Sequence, residues 1–580
     1  MADTKREIER KYESDDSGLP DLTGVAGVDA VVDKGVAHLD ATYYDTADER
    51  LAASAITLRR RTGGADAGWH LKFPVAPGVR DEIHAPLSDS LPRSLAGLVR
   101  SRVRDAELLP VVRLRSDRDI RDLVDADGRL LAEVSVDAVR AERLTGDGGV
   151  AQWTELEVEL ADGGDPAFLD KVDKRLRKAG VRPSGSASKL ARALAETAPR
   201  GKAEKAQEAG KAQKGEEAGQ AGQAGQAGTG GEARESRKAR KAGKGGKAEE
   251  AGKVGKAGDR GKGGDAGKKA GKTAGKTAGK TAGAGQGPGA AETAGDHVLA
   301  YIREQRDALV ELDPAVRQDT YDSVHRMRVA TRRMRSAFGS YAKVLDRTVT
   351  DPVGEELKWL AAELGVDRDQ EVLTERLTAA LNELPRTLVL GPVRTRLRTS
   401  MHARHSGSRR RLIGVLDSRR YLALLDSVDA LVSAPPLRRA AAGSPQQVIA
   451  KAVRKDFGKL ASQVERAVAA EPGTERDLAL HEARKKAKRT RYSAEAAIAS
   501  LGDPATVLAK SMKSLQNLLG DHQDSVMTRQ TLRELSAVAH AAGENVFTYG
   551  LLYGREEARA AADEAQLPGA WREVTGGMRV

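Results

Sequence analysis

The stretch from about residue 200 to 290 decides how much of this 580-residue chain can fold. It reads KAEKAQEAGKAQKGEEAGQAGQAGQAGTGG and later GKKAGKTAGKTAGKTAGAGQGPG, built almost wholly from Gly, Ala, Lys, Gln, Glu and Thr. No aromatic residue and a single valine fall between Arg200 and Gly285. Such a segment has too little apolar surface to offset the entropy of ordering it. Two folding regions, 1–197 and 293–565, are therefore expected on either side of a flexible linker at 198–292, with a short tail at 566–580. Between Arg200 and Ala284 lie about 21 basic and about 10 acidic residues, so the linker carries nearly all of the chain's net charge of +12. Anion sites in the folded regions must then arise from local clustering. A solvated tether is the plainer reading of the linker, and any nucleic-acid binding is expected through it alone.

The absence of cysteine excludes a disulfide scaffold, a thiolate metal site and a cysteine nucleophile, and fits a reducing compartment. The opening residues MADTKREIERKYESDD carry charge where a signal peptide would be apolar, and no run approaches the ~18 apolar residues of a spanning helix. The expected location is the cytoplasm without membrane attachment.

Residues 1 to 197 alternate as strands: EIERKY, HLDATYYDT, SAITLRRRT, WHLKFPV, RDEIHAPL, PVVRLRSDRDIRDLV, RLLAEVSVDAVRAERL and TELEVEL, separated by turn signals. Helical patterns near 21–35, 92–101 and 165–179 make the class α+β, with an antiparallel sheet or barrel of about eight strands. Strand parity puts Glu7, Glu9 and Lys11 on one face, and likewise groups Arg59 with Arg61, Arg80 with Glu82, Arg113 with Arg115, and Glu155 with Glu157 and Glu159, while Lys72 follows alone in WHLKF. On one strand such a face would mark solvent. On six, the alternative is a charged interior. Arg and Lys suit polyphosphate oxygens and carboxylates suit a hard cation, the combination that phosphoryl transfer requires.

At these residues the chain resembles the CYTH family, or triphosphate tunnel metalloenzymes, which includes class IV adenylyl cyclases, thiamine triphosphatases and inorganic triphosphatases. The E-x-E-x-K signature is Glu7-Ile8-Glu9-Arg10-Lys11; YYDT from Tyr43, LRRR from Leu58, WHLK from Trp69, RDE from Arg80, Glu133 with Asp137, ELEVE from Glu155 and SASK from Ser186 follow in the family's order. The resemblance implies an eight-stranded antiparallel tunnel holding a triphosphate with Mg²⁺ or Mn²⁺. By it, Glu7 and Glu9 look like metal ligands, completed by Glu157 and one of Glu155 or Glu159. Lys11, Arg59, Arg61, Lys72, Arg113, Arg115 and Lys189 look like the phosphate clamp. Glu7, Glu9, Lys11, Lys72 and Glu157 form the expected catalytic group, and Glu133 and Asp137 bind or orient metal or water.

From about 293 the pattern becomes long amphipathic helices, with expected breaks at Pro314, Pro352, Pro385, Pro435-Pro436, Pro472 and Pro504. HRMRVATRRMR from His325 lines up with HEARKKAKRTR from His481, and LAAELGVDRD from Leu360 with LQNLLGDHQD from Leu515, an internal duplication. Arg328, Arg332 and Arg335 fall on one helical stripe with His325; Arg484, Lys488 and Arg491 repeat it with His481, and Arg333 and Arg489 lie beside them. Like charges at these spacings need counterions, either acidic side chains or a bound polyanion. Metal binding by His325 and His481 is not expected among so many cations. This half resembles the CHAD family, named for its conserved histidines in a helical domain, which implies two four-helix halves related by a pseudo-twofold and inorganic polyphosphate as ligand. The combined expectation is a divalent-metal-dependent triphosphatase acting on tripolyphosphate or an organic triphosphate, with an appended polyphosphate-binding domain. The alternatives are a polyphosphate-binding scaffold without catalysis and a nucleotide cyclase.

Overall fold

The computed structural model describes residues 3–14, 18–198 and 292–577; the expected linker falls almost wholly outside them. Nine strands form one antiparallel sheet: β1 (Asp3–Glu13), β2 (Ala30–Asp45), β3 (Thr57–Thr62), β4 (Gly68–Ala76), β5 (Val79–Pro86), β6 (Leu109–Val124), β7 (Leu130–Arg143), β8 (Val150–Leu160) and the two-residue β9 (Arg182–Pro183). Their order is β5-β4-β3-β2-β6-β7-β8-β1-β9, and β1 is also hydrogen-bonded to β5, from Asp3↔His84 to Ile8↔Val79. β1 thus serves both neighbours, β5 through its first half and β8 through Glu9↔Glu159 to Glu13↔Glu155. The eight expected strands are present. The turn after β3 depends on Gly63, whose φ is 80° and where an added Cβ would lie 2.0 Å from the His38 carbonyl oxygen.

Four helices accompany the sheet: α1 (Arg50–Ala53), α2 (Arg93–Val103), α3 (Ala167–Lys178) and α4 (Lys189–Glu196). Helix α3 lays Phe168, Leu169, Val172 and Leu176 over Tyr12, Leu156 and Val158, while α2 lays Leu95, Leu98 and Val99 over Leu58, Leu71 and Ile83. The apolar faces of β1, β3, β4, β5 and β8 therefore point toward helices. Side chains of the opposite parity, the charged ones, face away from them. The helix expected near 21–35 is absent: Gly24, Ala26, Gly27 and Gly35 all have positive φ, and β2 already begins at Ala30.

The second region is helical: α5 (Ala294–Arg317), α6 (Ser323–Ser340), α7 (Arg347–Asn382), α8 (Val393–Leu416), α9 (Arg419–Ser433), α10 (Pro445–Ala469), α11 (Thr474–Leu501), α12 (Asp503–Ala541) and α13 (Phe547–Gly576). Most sequential helices pack on one another, and α6 packs on α11, its partner in the sequence repeat. A capping box starts α5: Thr293 Oγ1 accepts from the Asp296 amide and the Asp296 carboxylate accepts from the Thr293 amide. Two expected breaks lie inside helices. Pro352 sits near the start of α7, and Pro314 in the last turn of α5, where few hydrogen bonds are lost. The expected tail is also corrected, because α13 continues to Gly576 and buries Leu567 and Val574 in the core, with Trp571 stacked on Phe457.

Pro314 has a further effect. It has no amide to offer the carbonyl of Val310, four residues earlier. That oxygen accepts instead from Ser101 Oγ at 3.3 Å and Arg102 Nη1 at 3.2 Å, both on α2. Arg104, at positive φ just past α2, donates to Asp426 and Asp429 of α9 at 3.1 and 2.9 Å. The sheet region and the helical region are thereby joined by polar contacts.

Candidate functional site

Side chains turned away from α2 and α3 line a cavity of about 520 Å³. Its wall includes Glu7, Glu9 and Lys11 from β1, Tyr43 from β2, Arg59 and Arg61 from β3, and His70 and Lys72 from β4. Arg80 and Glu82 of β5, Arg118 of β6, Glu133 of β7, Glu157 and Glu159 of β8 and Lys189 of α4, with Lys5 and Asp66, complete the charged part. Cations and carboxylates are interleaved. Lys72 Nζ lies 2.6 Å from Glu7 and 3.4 Å from Glu82, Lys11 Nζ lies 3.1 Å from Glu9 and also bonds Glu157, and Arg80 lies 3.9 Å from Glu9. Lys189 Nζ meets Asp137, Glu155 and Glu157 at 3.0, 2.6 and 2.6 Å, and Arg118 bridges Asp137 and Glu157 at 2.8 and 3.0 Å.

This crowding shapes the protonation states. Burial and a hydrogen bond shared with Glu82 push the Glu7 carboxyl up to about 8, against the pull of Lys72. Burial acts the same way on Glu157, but Lys11, Lys189 and Arg118 overcome it and hold that carboxylate well below its usual range. Asp137, Glu157 and Glu155 raise Lys189 despite its burial. Asp137, Glu155 and Glu157 bring carboxylate oxygens within 4.8 Å of one another, and the Lys189 ammonium reaches all three residues. The proton shared by Glu7 and Glu82 marks negative charge that a hard divalent cation would relieve, and the converging carboxylates of Asp137, Glu155 and Glu157 are the oxygen donors such an ion takes. The residues present therefore fit such an ion.

Of the residues expected at this site, Glu7, Glu9, Lys11, Arg59, Arg61, Lys72, Glu157, Glu159 and Lys189 line the cavity. Glu155 lies against it, bonded to Lys189 and to Trp153 Nε1 at 2.7 Å. Arg113 and Arg115 do not. They have the opposite parity on β6 from Arg118, are partly exposed, and pair with Asp40 at 2.5 and 3.6 Å. The face of β6 that reaches the cavity is apolar at one end, where Val112 and Leu114 pack against Leu190 of α4, and charged only farther along, at Arg118. Arg118 was missed for that reason, and the signal that finds it is parity shared with an apolar run.

The helical region gathers a second cationic group. Arg328 and Arg332 of α6 meet Arg484 and Lys488 of α11. The Nε atoms of all three arginines are buried without a hydrogen-bond acceptor. Burial and the neighbouring charges of Arg484, Arg332 and Arg328 push Lys488 down to about 6. The L-G-x-x-x-D element of each repeat supports this group in the same way. Arg328 pairs with Asp369 at 2.9 Å and Arg484 with Asp524 at 3.7 Å. Each guanidinium lies over a glycine, where an added Cβ would stand 2.8 Å from Arg328 Nη2 at Gly365 and 3.3 Å from Arg484 Nη2 at Gly520.

Other expected members are drawn elsewhere. Arg333 and Arg491 share Glu495 at 2.8 Å each and flank the Tyr492 ring, and Arg489 pairs with Asp456 at 3.3 Å. Arg335 is partly buried near Glu355. His481 Nδ1 lies 2.6 Å from Gln523 Oε1, and His325 is half-buried in the first turn of α6. Among the described residues no helix is long and apolar enough to cross a membrane.

Residues 5–194 match the CYTH domain and residues 300–533 the CHAD domain. Over 592 aligned residues the chain is 35% identical to two uncharacterized proteins of Mycobacterium tuberculosis, MT2285 of strain CDC 1551 and Rv2226 of strain H37Rv, covering 99% of this chain and 97% of each relative. Among solved structures, PptA from Streptomyces chartreusis is 20% identical and covers 49% of this chain and 100% of its own, with a TM-score of 0.42. The CHAD domain from the plant Ricinus communis is 22% identical over 50% of this chain and 93% of its own, with a TM-score of 0.40. With its two domain matches in this order and relatives of nearly full length, the chain belongs to a bacterial protein family in which a CYTH domain is followed by a CHAD domain.

Proposed function

We propose that the strands paired back from β5 onto β1 enclose a tunnel in which tripolyphosphate or a related triphosphate is hydrolysed to diphosphate and orthophosphate. The observation that carries this reading is the single cavity where Lys11, Arg59, Arg61, Lys72, Arg118 and Lys189 meet Glu7, Glu9, Glu157 and Glu159. Its cations and carboxylates are closely balanced, so a bare polyanion is a poor guest and one accompanied by divalent cations is a good one. Glu7, Glu9, Glu157 and Glu155 or Glu159 would hold Mg²⁺ or Mn²⁺, which supplies charge stabilisation at the phosphoryl oxygens and activates water. Arg59, Arg61, Arg118 and Lys189 orient the phosphate chain, while Lys11 and Lys72 fix the carboxylates that face it. The test is phosphate release from tripolyphosphate with Mg²⁺ or Mn²⁺ by the wild type and Glu9→Gln. A fall of at least about tenfold is expected; equal rates would refute the ligand assignment.

The CHAD region, in the same reading, binds longer inorganic polyphosphate at Arg328, Arg332, Arg484 and Lys488. What supports it is the set of buried guanidinium donors that find no acceptor within the protein. Combining Arg328→Glu with Arg484→Glu weakens long-chain polyphosphate binding, and so does added salt.

A further inference from the structure

A different kind of cluster lies where α11, α12 and α13 come together. Asp477 is in the first turn of α11, His522 in α12 and Glu564 in α13. The histidine is 3% exposed, and its Nε2 stands 3.1 Å from Glu564 Oε1 and 3.4 Å from Asp477 Oδ1. One nitrogen of a buried ring is thus faced by carboxylates from two other helices. A tetrahedral ion with bonds of ~2.0–2.1 Å holds its ligand atoms about 3.3–3.4 Å apart, and the two separations from Nε2 lie close to that edge. All three ligand atoms are within 4.8 Å of one another.

Arg476 meets Glu564 at 3.1 Å and shares its donors with the Ala470 carbonyl, so it offsets one of the two carboxylates and leaves room for a cation beside the other. The histidine is also not demanded by the repeat, since LGDHQD has His522 where the first copy, LGVDRD, has Asp367.

We propose that Asp477, His522 and Glu564 form a divalent-metal site for a borderline ion of the Zn²⁺ type, clasping α11, α12 and α13. Side-chain exposures of 34% at Asp477 and 22% at Glu564 leave the fourth ligand position to water. Its mixed nitrogen and oxygen donors separate it from the all-carboxylate cluster of the CYTH cavity, which suits harder ions.

Co²⁺ titrated into the full-length chain after chelator treatment tests the site, because four-coordinate Co²⁺ absorbs strongly in the visible and six-coordinate Co²⁺ on oxygens only weakly. The wild type is expected to give a strong band that saturates at about one Co²⁺ per chain and is displaced by Zn²⁺. Asp477→Asn and His522→Gln should lose the band, and Zn²⁺ should raise the melting temperature of Asp477→Asn less than that of the wild type. Asp477 is partly exposed and near a helix start, so its variant keeps the test valid should His522→Gln fail to fold. Absence of the band from the wild type, or its survival at equal strength in Asp477→Asn, overturns the proposal.

Discussion

Lys488 allows a quantitative test of the CHAD reading, because its amine sits near 6 only while its neighbours are Arg328, Arg332 and Arg484 without an anion. At pH 7.5, about 3% of such amines are charged. A polyphosphate brought among these four side chains replaces repulsion with attraction and restores the amine toward its ordinary 10.5. Binding at pH 7.5 must then take up close to one proton, and the association constant must fall about tenfold, or about 1.4 kcal/mol, per pH unit above 6.

Long-chain polyphosphate titrated calorimetrically in two buffers of different ionisation enthalpy reads the proton number directly. The wild type is expected to give about one and Lys488→Met about zero, with weaker binding and a flatter pH profile. The ligand-free protein supplies a check of sign. Between 6 and 10.5 the folded chain binds fewer protons at this lysine than the unfolded chain, so its stability rises with pH across that window and is lost as pH falls toward 6. At pH 7.5 the penalty is at most about 4 kcal/mol, and Lys488→Met should recover part of it. Equal proton uptake by the two proteins, or a destabilised Lys488→Met, would refute the reasoning.

Arg118→Gln should lower kcat/KM for tripolyphosphate by at least about tenfold, whereas Arg113→Gln, on the other face of the same strand, should stay within about twofold. Gly365→Ala should weaken polyphosphate binding more than Gly520→Ala, because its Cβ would stand 2.8 Å from a guanidinium nitrogen against 3.3 Å; parallel binding titrations decide this. The raised Glu7 carboxyl makes metal and proton compete. Apparent Mn²⁺ affinity should therefore weaken as pH falls below about 8, by up to about tenfold per unit, and Glu7→Gln should remove that dependence. For stability the same shift works in the other direction: between 4.5 and 8 the folded chain holds the extra proton, so Glu7's contribution declines as pH rises through the window.

Alternation exposed most of the CYTH cavity in advance, because a strand shows only two faces and the carboxylates of β1 and β8 all take one of them. It failed on β6, where the face reaching the cavity begins with Val112 and Leu114, packed on α4, so the charged residues nearest them, Arg113 and Arg115, were assigned to the wrong side. Helical periodicity grouped Arg328 with Arg332 and Arg484 with Lys488, the four side chains that meet between α6 and α11, although it also put Arg335 and Arg491 on those stripes. It could not show that Glu495 and Asp456, remote in sequence from Arg333 and Arg489 respectively, neutralise neighbours of the same charge. The glycine of L-G-x-x-x-D was visible as a motif, but its reason, room for an arginine from the preceding helix, needs the packed pair.

The carbonyl freed at Val310 has a consequence for how this polypeptide tolerates damage. Because α2 is anchored there and Arg104 reaches Asp426 and Asp429, the CYTH and CHAD portions are expected to stay associated when the chain between them is cut. Proteolytic nicking between residues 200 and 290 should yield two fragments that co-elute as a heterodimer.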